Sequence, residues 1–159
     1  MQRKIEKMVS RFRKGMENTV AFYQTIPVNV WENVVYSDGQ QWRIKDILAH
    51  QAQAEDDIRE LVRSILHGSD GVPAGFDLDS HNEERVEAMR KFEPEDLLNR
   101  FVAAREKTIQ TLIGMNDAEL EKRGRHPWLG ETAVGDMLKL MTSHNRIHQR
   151  DIRKHLTER

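Results

Sequence analysis

Between Gln2 and Gln24, apolar or small side chains return every three or four positions: Ile5, Met8, Val9, Phe12, Met16, Thr19, Val20 and Tyr23. That spacing gathers them on one stripe of an α-helix and leaves the charged residues on the opposite side. The pattern predicts a first helix over Gln2–Gln24, with Pro27 ending it or lying just beyond. Thr25 to Trp42 follows no period and reads as a long connection, with a turn at Ser37-Asp38-Gly39. Its apolar residues, Trp31 and Val34-Val35-Tyr36, are expected to lie against the helices.

The helical period resumes from Arg43 to His67 through Ile44, Ile47, Leu48, Gln51, Ala54, Ile58, Leu61, Val62 and Ile65. A Gly/Pro loop, His67 to Gly75, then breaks the chain. A third element is predicted over Ser80–Gly114. Ser80 and Glu83 have the spacing of a capping box, and Pro94 produces a jog where a proline fits a first turn. Met115 to Glu131 is a second irregular connection, in which Asn116 and Glu119 can cap a single turn. Thr132 is placed as the cap of a last helix running to about Leu156. Its inner stripe reads Ala133, Met137, Leu140, Met141, His144, Ile147 and His148. Four long amphipathic helices make an all-α, single-domain four-helix bundle over residues 1–159. The two long connections can cross over the bundle, so a simple up-down-up-down order is not required.

Composition narrows the function. Lysine and arginine total 25 and aspartate and glutamate 26, so no basic excess argues for nucleic acid. No stretch of about 18 apolar residues predicts a membrane span, and no apolar signal core follows the charged N-terminus. The chain has no cysteine, which removes disulfides, thiolate ligands and a cysteine nucleophile, and fits a cytoplasmic protein.

The chemistry that remains is imidazole. His144 and His148 are four apart, so one helix face can aim both rings at one point. His50 can add a third if its helix packs alongside. Three neutral imidazoles suit a divalent ion and leave positions open for another ligand. Zinc or nickel is the expected ion, with other first-row ions compatible. A ligating ring usually donates its second N–H to an outer partner. Asp46, one turn before His50, is the outer-partner candidate, with Asp57 and Asp151 behind it. Pocket walls are expected from Trp128, Tyr23, Trp42 and Phe76, and polar groups from Asn145, Gln149 and Arg146. His67, His81, His126 and His155 are weaker candidates: a helix end, a first turn, a loop before Pro127, and a chain terminus.

Two segments carry a family resemblance. Gln41-Trp42-Arg43-Ile44-Lys45-Asp46-Ile47-Leu48-Ala49-His50 resembles a segment of the DinB-like superfamily. Gly130-Glu131-Thr132-Ala133-Val134-Gly135-Asp136-Met137-Leu138, with His144-Asn145-Arg146-Ile147-His148 after it, resembles that superfamily's last helix and its histidine pair. The resemblance implies an up-down-down-up bundle with a divalent metal on His50, His144 and His148. Related members often form dimers, so a homodimer is compatible with it. The superfamily contains DNA-damage-inducible proteins of unknown activity, mycothiol-dependent maleylpyruvate isomerase, and bacillithiol or mycothiol S-transferases. The leading expectation is therefore a metal-dependent enzyme acting on a small molecule with a small thiol such as bacillithiol or mycothiol. The alternatives are a metal-dependent hydrolase, a non-catalytic metal-binding stress-response protein, and a metal-free bundle.

Overall fold

The computed structural model describes residues 3–158, so the predicted helix start at Gln2 lies outside the described residues. Five helices carry the fold: α1 (Arg3–Gln24), α2 (Ile44–Leu66), α3 (Leu78–Met89), α4 (Pro94–Ile113) and α5 (Val134–Thr157). The predicted third element is two helices. Arg90 to Glu93 lies between them, Pro94 opens α4 at its first position, and the chain is redirected rather than jogged. The start of α3 is also corrected: Asp77, not Ser80, is its cap, and accepts the Ser80 N–H at 3.1 Å. Asn116 does cap a short 3-10 turn, accepting the Glu119 N–H at 3.0 Å.

α1, α2, α4 and α5 form the bundle, and their contacts fix its directions. Lys45 reaches the Arg90 carbonyl, Glu55 pairs with Arg105, and Arg59 bonds the Ala104 carbonyl, so α2 and α4 run parallel. Gln149 donates to Thr19 at 2.7 Å and Arg153 lies over Phe22, so α1 and α5 run parallel. Arg105 reaches the Phe12 carbonyl from α4, and Gln51 reaches the Asn145 carbonyl from α2, with residue numbers running oppositely in each pair of helices. The order is up-down-down-up, as the resemblance implied. α1 and α2 face each other diagonally and meet through a Tyr23–Gln51 hydrogen bond. α3 is the return path that lets two parallel helices follow each other. It runs back along α2, with His81 beside Asp57, Asn82 beside Gln53, and Arg90 beside Asp46.

The two irregular connections each contain a hairpin. β1 (Val34–Tyr36) pairs with β2 (Trp42–Arg43), and β3 (Arg123–His126) pairs with β4 (Gly130–Ala133). Thr132 therefore lies in a strand, and α5 starts at Val134 without a side-chain cap. The loop after α2 is clipped to β3. Arg125 N–H donates to the Asp70 carbonyl at 2.8 Å, and Val72 N–H donates to the Arg125 carbonyl at 2.9 Å. Gly71 sits between them at φ +99°, where a Cβ would lie 2.3 Å from the Arg125 nitrogen, so only glycine allows the clip. This clip and the β3–β4 hairpin wall off one side of the space between α2 and α5.

Candidate metal centre

α2 and α5 pack antiparallel, and their facing turns bring three imidazoles together. Ring centroids are 5.2 Å apart for His50 and His144, 5.3 Å for His50 and His148, and 4.3 Å for His144 and His148. One nitrogen from each ring lies within 4.8 Å of the others. The Nε2 atoms of His144 and His148 face each other at 2.8 Å. The buried stripe of α5 differs from the predicted one. It runs Val134, Met137, Leu138, Met141, Asn145, His148 and Ile152, while Ile147 is exposed and Leu140 half-buried. His144 is thus half-buried at the rim of the stripe rather than at its middle.

The rings are held in the form a metal needs. Burial keeps all three neutral: His50 lies well below its ordinary value, His144 is lowered, and His148 falls to about 3. At His148 the tautomer follows from its neighbours. Tyr36 donates its O–H to Asp151 at 2.6 Å, because a carboxylate can only accept. The 2.9 Å contact between Tyr36 Oη and His148 Nδ1 must then be donated by the ring. That leaves Nε2 with a free lone pair, turned toward His144. Burial and the Asp151 carboxylate hold the Tyr36 hydroxyl protonated, with its pKa raised.

His50 has its own partner, Gln53, whose side-chain amide lies 3.2 Å from Nδ1. The two orientations of a carboxamide are nearly isosteric. The structure turns the Gln53 nitrogen toward the ring and leaves its oxygen buried without a partner; turning the carboxamide over would give that oxygen the Nδ1 proton and free Nε2 to bind an ion. Trp42 packs on the other side of the ring, with centroids 4.8 Å apart, and its indole N–H donates to Glu83 at 3.0 Å. The donor set of three neutral imidazoles, two of them held by an outer partner, fits a divalent ion.

The predicted outer partners need correction. Asp46 is turned to the start of α2, where it accepts from the Arg43 backbone and guanidinium and from Arg90. Burial pushes its carboxyl up, but Arg43 and Arg90 outweigh this and hold it low. Gln149, expected as a polar group of the pocket, is buried and donates its amide to Thr19. Asp57 serves His81 and Arg85. Asp151 does join the site, through Tyr36.

A cavity of about 360 Å³ opens from the triad between α2, α3, α5 and the β3–β4 turn. Ile58, Leu61, Phe76, Trp128, Met137 and Met141 supply most of its apolar wall. Trp128, Phe76 and Asn145 were expected there. Tyr23 is instead in the core, stacked on Trp31, and Arg146 is exposed. His126 also lines the cavity, and the sequence reading ranked it low. It is buried in β3, and no spacing relates it to His50 or His144.

A family model for the DinB superfamily matches residues 9–152. The chain belongs to that superfamily. No curated protein matches it. Among solved structures, this DinB superfamily member resembles YfiT from Bacillus subtilis, described as a probable metal-dependent hydrolase with an unusual four-helix bundle topology. Identity is 13%, the TM-score is 0.76, and coverage is 97% of this chain and 87% of that one. It also resembles the mycothiol-dependent maleylpyruvate isomerase, at 13% identity and TM-score 0.75, covering 92% of this chain. The chain spans only 60% of the isomerase. A third similar structure is the colibactin self-resistance protein ClbS in complex with double-stranded DNA, at 12% identity and TM-score 0.75, with 94% of each chain covered. Identities this low speak for the shared fold. Among the described residues, no helix is long and apolar enough to cross a membrane.

Proposed function

We propose that this protein is a divalent-metal-dependent enzyme acting on a small molecule, with His50, His144 and His148 as the metal ligands. One observation carries the reading. Three neutral imidazoles converge at the end of a largely apolar cavity, with one nitrogen from each ring within 4.8 Å of the others. A divalent ion held there supplies the positive charge that lowers the pKa of a thiol or a water beside it.

The protein's own residues do the rest. Tyr36 and Gln53 hold the rings of His148 and His50 in register. Ile58, Leu61, Met137 and Met141 exclude water and seat the apolar part of a substrate. The chain has no cysteine, so a thiol must arrive as a small molecule, and transfer of bacillithiol or mycothiol to an electrophile is the leading reaction. The similarity to the mycothiol-dependent isomerase supports this arm. Hydrolysis is the second reading, supported by the similarity to YfiT across nearly the full length of both chains.

Metal analysis of protein purified without an affinity tag tests the ligand set. About one zinc or nickel per chain is expected, and no bound first-row metal would reject it. Loaded protein is then screened with bacillithiol, mycothiol and glutathione against electrophiles, and with ester and amide substrates. Turnover with a thiol supports transfer. If no thiol binds at millimolar concentration while an ester or amide is cleaved, the hydrolase reading replaces it.

A further inference from the structure

Two polar groups in the cavity are left over from the metal site. His126 is 5% exposed, and its Nδ1 accepts the backbone N–H groups of Trp128 at 3.0 Å and Leu129 at 3.1 Å. A nitrogen that accepts cannot carry the proton of a neutral ring, so the proton is on Nε2. No protein acceptor for that N–H exists among the described residues. The ring is neutral at pH 7, its pKa lowered to about 4 by burial and by nearby His144. Asn145 is 6% exposed, and its carboxamide makes no hydrogen bond to another described residue, although its backbone carbonyl accepts from Gln51. Both residues line the same cavity as His50 and His144. Both polar ends open onto the cavity without a protein partner, so a ligand that enters can take the place of the water there.

The charge of the wall selects the class of ligand. No lysine or arginine lines the cavity, whereas Glu55, Asp57 and Glu60 do. Glu55 is neutralised by Arg105, and Asp57 by Arg85. An anionic ligand would find no cation here apart from an ion on the triad. An ammonium group could use the Asn145 carboxamide oxygen, but it would meet only an N–H at His126, and Glu60 is already paired with Arg63. A neutral carbonyl oxygen suits both groups, since His126 and Asn145 can each donate to it.

We propose that His126 and Asn145 form a recognition pair for the carbonyl oxygen of an uncharged, mostly apolar ligand, whose body lies against Ile58, Leu61, Met137 and Met141. This rests on the proposed function only in making the ligand a substrate; the pair itself works without a metal. The ligand class is an amide, ester or ketone with a short hydrocarbon body. His126 and Asn145 are positioning residues that place its carbonyl carbon near the three imidazoles.

The test uses chelator-stripped and zinc-loaded protein in parallel. Hexanamide, hexanoate and hexylammonium are titrated by tryptophan fluorescence, with Trp128 as the reporter in the wall. Stripped protein should bind hexanamide at least about tenfold more tightly than either ion, the difference expected of one or two buried hydrogen bonds. Asn145→Leu and His126→Phe should each lose about tenfold in hexanamide affinity, while zinc binding to Asn145→Leu stays at the wild-type level. Because His126→Phe also orphans two backbone N–H groups, ¹⁵N-histidine spectra of the wild type give a second readout. The His126 proton should sit on Nε2, and its resonance should move when hexanamide is added. Hexanoate binding stripped protein as well as hexanamide does, wild-type hexanamide affinity in Asn145→Leu, or a His126 proton on Nδ1 would each overturn the proposal. Failure to bind zinc would instead strike the metal reading and leave this one standing.

Discussion

α2 presents two buried polar centres little more than one turn apart, and they are built on opposite principles. Glu55 meets Arg105 of α4 through two bonds, Nε to Oε2 at 2.8 Å and a terminal nitrogen to Oε1 at 3.0 Å. Arg105 is fully buried, gives another N–H to the Phe12 carbonyl, and lies against the rings of Phe12 and Phe101. That centre is charged and closed. The histidine centre is neutral, flanked on its outer side by Tyr36 and Gln53, and on its inner side its ring nitrogens have only one another. A closed centre holds two helices in register. An open one, with its outer atoms restrained and its inner atoms left facing each other, is arranged for something that arrives later.

The sharpest way to break this contrast is to remove an inner group. His144→Ala and His148→Ala should each abolish metal binding, read by titration with zinc, with little change in helical circular dichroism. Full metal occupancy in either variant would make the triad another structural cluster. At the closed centre the opposite pattern is expected. Arg105→Met strands a buried carboxylate and should cost about 3–5 kcal/mol in denaturant unfolding. Glu55→Leu combined with Arg105→Met should recover most of that loss, because an apolar pair of similar volume no longer buries a charge. A single variant of wild-type stability would show that water reaches the pair.

Tyr36→Phe removes the acceptor that orients His148 while keeping the ring. Metal affinity should fall by roughly 10- to 100-fold with the fold intact, and an unchanged dissociation constant would remove Tyr36 from the site. The smallest effect concerns acid. In metal-free protein, His148 stays neutral down to about pH 3 because burial disfavours its charged form, while the unfolded chain protonates near pH 6.5. Its pKa is thus depressed on folding. The unfolded state takes up the extra proton below pH 6.5, and stability is lost as pH falls from about 6.5 toward 3 and is unaffected above about 7. By pH 5 this amounts to at most about 2 kcal/mol from His148, read as a lower urea midpoint. A His148→Ala variant should show a flatter profile.

Much of this arrangement is legible in the residue pattern, and the gaps have physical reasons. α1 and α2 fall within a residue or two of the predicted spans because their apolar spacing is regular and their ends carry strong breakers. The hairpins escape because strands of two to four residues are too short to show alternation. α3 and α4 merge in the sequence reading because a proline opening a helix looks much like a proline bending one. The stripe of α5 is rotated because Leu140 and Ile147 face the cavity rim and solvent instead of the core. The histidine spacing pointed to three rings that the fold does bring together. Asp46 is not an outer partner because a carboxylate in a first helical turn is claimed by the backbone and guanidinium groups there. Gln53 lay within reach of the same reasoning, one turn after His50. Tyr36 and His126 did not: Tyr36 is far from His148 in sequence, and the role of His126 depends on two backbone amides.

The diagonal placement of α1 and α2 bears on how the chain becomes a bundle at all. No tight helical hairpin can form first from either end, since the helices that α1 packs against most are α4 and α5. Long segments must be brought round before most of the core exists, and such late, distant contacts slow folding. Refolding after a stopped-flow jump should therefore lag behind that of an up-down-up-down bundle of equal length.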